Sequence, residues 1–195
     1  MITLGLTGSI AMGKSTAAKI FASQGVPVFD SDAEVHRLYE KGGEAVAGVA
    51  ALFPKSVKDG AVDRSVLAKL VLDDPPALQR LQAAVHPLVQ KSQQAFLETC
   101  RSQGQEIVVL DIPLLFESGG EAQLDRIVVV SAPPEIQKRR ALQRPGMTPE
   151  KLASILARQT PDAEKRAKAD FVIDTSRELE HTRAQISNII AALRP

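Results

Sequence analysis

The sequence predicts an α/β fold, in which helices flank a parallel sheet of five strands and accompany a helical substrate subdomain and a lid. Five short apolar segments have the composition of buried strands, and helical patterns separate them. A glycine-rich loop joins the first strand to the first helix. From residue 42 to about residue 105, between the second and third strands, we expect helices only. This stretch is longer than a crossover between parallel strands requires, so it predicts an inserted subdomain.

The glycine-rich loop follows a strand predicted over residues 2–7 and precedes a helix predicted over residues 15–23, an order typical of the P-loop NTPase fold. Its N–H groups and the helix N-terminus attract phosphate. Lys14 can reach the β- and γ-phosphates of ATP, and the Ser15 hydroxyl can bind Mg²⁺. A glycine turn without a ligand is the alternative. The predicted ATP contacts in the loop are Gly8, Ser9, Ile10, Ala11, Met12, Gly13, Lys14, Ser15 and Thr16.

Composition limits the class of protein. The net charge of +1 over 195 residues disfavours nucleic acid as a partner. The single cysteine, Cys100, excludes an intrachain disulfide and favours a reducing compartment. No apolar run approaches the ~18 residues of a membrane span, and the N-terminal strand lacks the features of a secretory signal. We therefore expect a cytoplasmic protein that binds neither nucleic acid nor membrane.

Two acidic residues follow the second predicted strand, residues 26–29. Ligands bind at the carboxyl ends of strands in open parallel sheets, so Asp30 and Asp32 are expected at the same edge as the P-loop. On an extended segment the two carboxylates would point in the same direction. We predict that Asp32 contacts the acceptor substrate or acts as a base. The alternative is that Ser31 or Asp32 caps the helix predicted over residues 33–40.

The helical insertion, residues 31–105, is predicted to bind the substrate. Its patterns indicate one helix over residues 75–85, capped by Asp74, and another after Pro87. His86 lies at the junction of these two helices, where a packed or capping histidine is the alternative to a substrate contact. It has no His or Cys companion at metal-ligand spacing, so zinc is not expected.

The third strand, residues 106–111, ends in Asp111. A carboxylate at this strand tip is the usual partner of a P-loop and holds Mg²⁺, often through water, or a substrate group; capping is the alternative. Ser15 and Asp111 are therefore the predicted Mg²⁺ residues. Residues 112–117 are too apolar for a solvated loop and are expected to line a substrate pocket, with Leu114 among the contacts.

Positive charge is concentrated in residues 138–168, which carry nine Lys or Arg and three Asp or Glu. A bound triphosphate would account for this concentration, although a solvated helix face is the alternative. Arg140 and Arg144 are four residues apart on a predicted helix, so they would share a face and could clamp phosphates. Pro145-Gly146 predicts a hinge, and residues 141–165 a mobile lid.

The remaining predicted elements are a fourth strand over residues 125–131 and a fifth over residues 168–174. We expect a single domain whose core comprises residues 1–30, 106–140 and 166–195.

These features predict a small-molecule kinase, because phosphoryl transfer requires positioning and charge neutralisation. Lys14, Mg²⁺ and Arg140 would neutralise the moving phosphoryl group, and Asp32 would orient or deprotonate the acceptor hydroxyl. A lid would exclude water from the reaction. A GTP-binding switch is disfavoured because its guanine-reading motif requires an asparagine, and the only one is Asn188. A non-catalytic ATP-binding module would lack an acceptor site and a lid.

The sequence also resembles the dephospho-coenzyme A kinase family across nearly its full length. The segments that carry the resemblance are residues 4–16, 29–33, 85–87, 111–117 and 159–174. The resemblance implies ATP-dependent phosphorylation of the ribose 3′-hydroxyl of dephospho-CoA, the last step of coenzyme A synthesis. It implies that Asp32 lies near the acceptor hydroxyl, that His86 belongs to the CoA-binding subdomain, and that Arg140 and Arg144 lead from a helix into the lid. Another kinase of the same architecture, acting on a nucleoside monophosphate or small metabolite, is the nearest alternative.

Two positions depart from the family pattern. The family often has an arginine four residues before the glutamine that corresponds to Gln159, where this chain has Ile155. The family also tends to follow the last strand with Asn and Gly, whereas this chain has Thr175, Ser176 and Arg177. The second departure concerns the adenine side of the predicted nucleotide site.

Overall fold

The computed structural model describes residues 1–72 and 74–194. Its strands are β1 (Ile2–Thr7), β2 (Val28–Asp30), β3 (Val57–Lys58), β4 (Ala61–Val62), β5 (Ile107–Asp111), β6 (Arg126–Ser131) and β7 (Phe171–Asp174). Its α-helices are α1 (Lys14–Ser23), α2 (Ser31–Tyr39), α3 (Ala45–Leu52), α4 (Arg64–Val71), α5 (Pro75–Ser102), α6 (Leu115–Ser118), α7 (Pro134–Leu142), α8 (Pro149–Leu156), α9 (Asp162–Ala167) and α10 (Leu179–Leu193). Among the helices of these described ranges, none has the length and apolarity needed to cross a membrane.

The chain divides into two units, each described here by itself. Unit 1 comprises Met1–Phe29 and the chain from Cys100 onward, and unit 2 comprises Asp30–Thr99. Unit 1 contains the main sheet, with strand order β2-β5-β1-β6-β7. Strand β1 pairs in parallel with β5 and β6, and β6 pairs in parallel with β7. The predicted fold class, a five-stranded parallel sheet flanked by helices, is confirmed.

The strands of unit 1 are apolar because helices cover the sheet. All five residues of β5 are buried, including its last residue, Asp111, as expected for a central strand of a parallel sheet. The main core of the unit joins apolar side chains of the sheet to those of α1 and α10, among them Phe21 and Ile186. This packing fixes the carboxyl ends of β1, β5 and β6, where the P-loop and Asp111 lie.

Unit 2 is mainly helical, and its core is formed by α2, α3, α4 and α5 with Val62 of β4. The prediction that no strand occurs between residues 42 and 105 is wrong, because β3 and β4 form an antiparallel hairpin. Each strand has two residues, too few to leave an alternating pattern in the sequence. Asp59 and Gly60 join them with φ angles of 53° and 80°, which is the geometry of a tight hairpin turn.

The two helices predicted on either side of Pro87 are one continuous helix, α5, with the proline inside it. Proline removes a single intrahelical hydrogen bond and normally breaks or kinks a helix. Here Leu81 and Val85 before Pro87, and Leu88 and Val89 after it, all pack in the core of unit 2. Tertiary packing on both sides therefore outweighs the local cost. Asp74 does accept the N–H of Ala77 at 2.9 Å, as predicted for a helix cap.

The two aspartates at the junction of β2 and α2 are arranged differently from the prediction. Asp30 is the cap of α2, since its carboxylate accepts the N–H of Ala33 at 2.9 Å. Ser31 and Asp32 lie in the first turn of that helix. The chain changes from strand to helix between the two aspartates, so they do not occupy one extended segment. The cap is thus Asp30, and the carboxylate of Asp32 is exposed.

Candidate active site

The P-loop lies at the carboxyl end of β1 and runs directly into α1, whose cap residue is Gly13. Gly13 has a φ of +93°, a conformation that L side chains rarely adopt. A Cβ atom at Gly8 would lie 2.6 Å from the carbonyl oxygen of Val130 in β6. Both glycines are therefore required by the backbone path, and the N-terminus of α1 provides positive potential at the loop.

Lys14 forms an ion pair with Asp111. The pairing register places Asp111, the last residue of β5, opposite Leu6 of β1, so the carboxylate lies at the same sheet edge as the loop. Asp111 is only 2% exposed, and burial strengthens the electrostatic contact with the ammonium. The cap of the next helix, α6, is Leu114 and involves no side-chain hydrogen bond. The geometry thus places Asp111 at the P-loop lysine.

The residues predicted for Mg²⁺ fit that ion by their donor chemistry. Ser15 offers a hydroxyl in the first turn of α1, and Asp111 offers a carboxylate at the neighbouring strand end. Mg²⁺ in nucleotide sites is bound by one or two protein oxygens together with phosphates and water. The described part of the chain contains no group of three or more His, Cys, Asp or Glu that could hold a metal ion.

Arg140 is connected to the P-loop through Thr175. Its guanidinium donates to the hydroxyl of Thr175 at 3.0 Å and to the carbonyl of Thr175 at 2.6 Å. The Thr175 hydroxyl in turn donates to the carbonyl of Met12 at 2.7 Å. A Cβ atom at Gly13 would lie 3.1 Å from that hydroxyl. Thr175 therefore fixes Arg140 beside the loop. The sequence did not predict this role for Thr175.

A cavity of about 370 Å³ opens beside the loop. Its lining residues are Ala11, Gly13, Thr16, Arg140, Arg144, Thr175, Arg177, Leu179 and Thr182. The prediction that Arg140 and Arg144 share a helix face is wrong, because α7 ends at Leu142. The two arginines nevertheless line the same cavity, where Arg177 joins them. Three guanidinium groups and no carboxylate give the lining an affinity for anions.

A second polar connection links the motif after β5 to α9. Glu117 accepts the N–H of Thr160 at 2.7 Å and lies 2.9 Å from the ammonium of Lys165. Burial disfavours the charged carboxylate, but the Lys165 ammonium and the Thr160 N–H lower the pKa of Glu117 below its usual value. Glu117 and Lys165 both lie in segments that carry the family resemblance, but no pattern in the sequence predicts that they contact each other.

The remaining predicted site residues are Leu114, Asp32 and His86. Leu114 precedes α6 in unit 1 and is 48% exposed. Asp32 and His86 belong to unit 2, on α2 and α5 respectively, and both side chains are exposed. His86 lies within a continuous helix, so the hypothesis that it caps a helix end is wrong.

A parallel sheet with a phosphate loop after its first strand, and with the loop lysine held by a carboxylate from the adjacent strand, is the architecture of a P-loop kinase. The match to known families is specific. The family model for dephospho-CoA kinase covers residues 2–181, and this chain belongs to that family.

Sequence relatives agree over the whole chain. A protein named dephospho-CoA kinase from Mesorhizobium japonicum is 58% identical over 194 residues, which are 100% of this chain and 98% of the relative. A protein of the same name from Rhodopseudomonas palustris (strain HaA2) is 54% identical over 192 residues, covering 98% of this chain and 96% of the relative. One from Brucella melitensis is 53% identical over 193 residues, with 99% and 96% covered.

Solved structures show the same fold. A crystal structure from Thermus thermophilus is 38% identical, with a TM-score of 0.85 over 100% of this chain and 98% of that one. A dephospho-CoA kinase from Campylobacter jejuni is 23% identical, with a TM-score of 0.68 and 98% and 96% covered. A shikimate kinase from Bacteroides thetaiotaomicron is 16% identical, with a TM-score of 0.53 and 98% of each chain covered. The last two likenesses concern the fold alone.

Proposed function

We propose that this enzyme transfers the γ-phosphoryl group of ATP to the ribose 3′-hydroxyl of dephospho-CoA, giving coenzyme A and ADP in the last step of coenzyme A biosynthesis. The observation that carries the proposal is the Lys14–Asp111 pair at the P-loop beside the arginine-lined cavity, in a chain that the dephospho-CoA kinase family covers over residues 2–181. Since ATP is the phosphoryl donor, we further propose that the enzyme works in the cytoplasm.

Neutralising negative charge is the first task of the site. The P-loop N–H groups and the N-terminus of α1 bind the phosphates of ATP, and Lys14 approaches the β- and γ-phosphates. Arg140, fixed by Thr175 beside the loop, stabilises charge that develops on the transferred group. Arg144 lines the same cavity and contacts ATP. Positively charged groups that are already oriented stabilise a transition state without reorganising during the reaction.

Ser15 and Asp111 would hold Mg²⁺, Asp111 directly or through water. When bound, the ion would neutralise part of the negative charge of the phosphates. Asp111 also contacts Lys14, so the same carboxylate positions the ammonium that acts on the phosphates. Because the Asp111 carboxylate would contact both Lys14 and Mg²⁺, we expect Asp111→Asn to lower the activity of the enzyme.

The acceptor is assigned to residues outside the loop. We assign the acceptor hydroxyl to Asp32, whose exposed carboxylate in the first turn of α2 orients the hydroxyl and accepts its proton. His86 and Leu114 are assigned to binding of dephospho-CoA, and Leu114 is an exposed apolar side chain suited to such a contact. Residues 141–165 are assigned the role of a lid that excludes water, the competing acceptor.

A panel of acceptors tests the proposal. Purified enzyme with Mg²⁺ and ATP is expected to release ADP with dephospho-CoA and not with AMP, shikimate or gluconate. Equal turnover with any of these three would refute the substrate assignment. Asp32→Asn is expected to lower kcat by about 10²–10⁴-fold with little change in the KM for ATP, as for loss of a general base. An unchanged kcat would remove Asp32 from the mechanism.

A further inference from the structure

The tip of the P-loop is packed against the helices on either side of the predicted hinge. Ala11 belongs to a small apolar cluster with Ala141 of α7 and Leu152 of α8. Ile10, together with Met147 and Leu156, packs against that cluster. A loop that must present its N–H groups to phosphate therefore rests on side chains from residues 141–156.

The backbone of Ile10 is held from two directions. The side-chain oxygen of Gln159 accepts the Ile10 N–H at 3.1 Å. The side-chain nitrogen of Gln137 donates to the Ile10 carbonyl at 2.9 Å. Gln137, on α7, is 7% exposed, and Gln159 lies between α8 and α9. Each glutamine thus has one defined role, Gln159 as acceptor and Gln137 as donor.

The conformation of Ala11, the residue after Ile10, explains why the backbone of Ile10 must be held in place. Ala11 has a φ of +62°, a left-handed conformation that costs a residue with a Cβ atom about 1–2 kcal/mol. Such conformations persist only where the surroundings determine them. Two hydrogen bonds to Ile10 and the apolar contacts of Ala11 are the surroundings that the structure provides. The orientation of the following N–H groups, which face phosphate in a P-loop, depends on them.

We propose that Gln137 and Gln159 are positioning residues that fix the P-loop for ATP, and that Gln159 couples the segment between α8 and α9 to the loop. The proposal rests on the proposed function, in which ATP is the phosphoryl donor. Neither glutamine contacts the reacting atoms. Each acts through the peptide groups of Ile10, so its loss weakens ATP binding and leaves binding of the acceptor unchanged.

Because Gln159 accepts a hydrogen bond and Gln137 donates one, substitution by glutamate distinguishes a hydrogen-bonding role from a packing role. Glutamate is isosteric with glutamine but can only accept at neutral pH. Gln159→Glu keeps the acceptor for the Ile10 N–H, whereas Gln137→Glu places a carboxylate against the Ile10 carbonyl. Both variants add the same charge near the loop. Gln159→Met and Gln137→Met remove the hydrogen bonds at similar volume.

Each methionine variant is expected to raise the Kd and KM for ATP about tenfold, the equivalent of one hydrogen bond of about 1.4 kcal/mol. Gln159→Glu should recover to within about threefold of wild type, and Gln137→Glu should be at least as impaired as Gln137→Met. The KM for dephospho-CoA should be unchanged throughout. Gln123→Met, at an exposed position just before β6 and outside every segment assigned to substrate binding or the lid, is the matched control and should leave both constants unchanged.

ATP affinity is measured by titration calorimetry without acceptor, so this result does not depend on the acceptor assignment. Thermal unfolding identifies any variant that fails to fold. Equal behaviour of the two glutamate variants, or wild-type ATP affinity in a folded methionine variant, would overturn the proposal. If the four glutamine variants change the Kd for ATP as expected but the wild-type enzyme does not turn over dephospho-CoA, the proposed function is refuted and the positioning role is not.

Discussion

The ion pair between Glu117 and Lys165 allows a quantitative prediction. The Lys165 side chain is 0% exposed and the Glu117 side chain 15% exposed. Removing one partner of a buried pair leaves the other charge without compensation, at a cost of about 3–5 kcal/mol. Glu117→Gln has this effect, because Lys165 has no access to water. For a chain of this size, that cost lowers Tm by about 6–20 °C.

Removal of the other partner, Lys165, is expected to cost less free energy of unfolding. In Lys165→Met, Glu117 keeps the N–H of Thr160 and some solvent, so we expect a loss of about 1–3 kcal/mol. In the double variant neither charge remains buried without its partner. The double variant should therefore be more stable than the sum of the two losses predicts, by about 1–3 kcal/mol of coupling energy.

Urea unfolding followed by circular dichroism gives the three losses, and repetition at several pH values tests the electrostatic origin. The pKa of Glu117 is lower in the folded state than its usual value, so the unfolded state binds more protons. The contribution of the pair is complete above the usual glutamate pKa and is lost as pH falls through the lowered one. Strictly additive losses, or a Glu117→Gln effect that does not shrink at acid pH, would refute the interpretation.

Three further substitutions test the fold. Gly8→Ala should cost about 1–3 kcal/mol, because its Cβ would lie 2.6 Å from the carbonyl oxygen of Val130 in a fixed strand; wild-type urea stability would contradict this. Gly48→Ala, in α3, should gain about 1 kcal/mol of unfolding free energy, because apart from its chain neighbours and the helix's own backbone nothing lies within 4 Å of the new Cβ; a loss of stability would contradict this. Thr3→Val removes a 2.7 Å hydrogen bond to Asp125. The N–H and hydroxyl of Thr3 lower the pKa of Asp125, so the variant should lose up to about 1 kcal/mol at neutral pH, a difference that vanishes as Asp125 is protonated; a loss that persists in acid would contradict it.

Local patterns were sufficient for the parts of the fold in which local and tertiary preferences agree. Runs of consecutive residues predict the phosphate loop and the strands of the sheet. A buried parallel strand can be recognised in this way because it is apolar throughout. Patterns failed where packing opposed local preference. Pro87 predicts a break, but the core of unit 2 holds α5 continuous on both sides of it. The hairpin of β3 and β4 was missed because two-residue strands carry no periodicity.

The sequence by itself determined the P-loop, the strand that ends in Asp111, and the kinase class, because each depends on residue types at fixed spacing along the chain. Only the tertiary structure decided which distant groups meet there. The pairing of Lys14 with Asp111 follows from the register of β1 and β5. The contacts of Thr175 with Arg140 and of the two glutamines with Ile10 join residues 35 to 149 positions apart. Spacing in the sequence carries no information about such contacts, since chain folding alone brings them within hydrogen-bond distance.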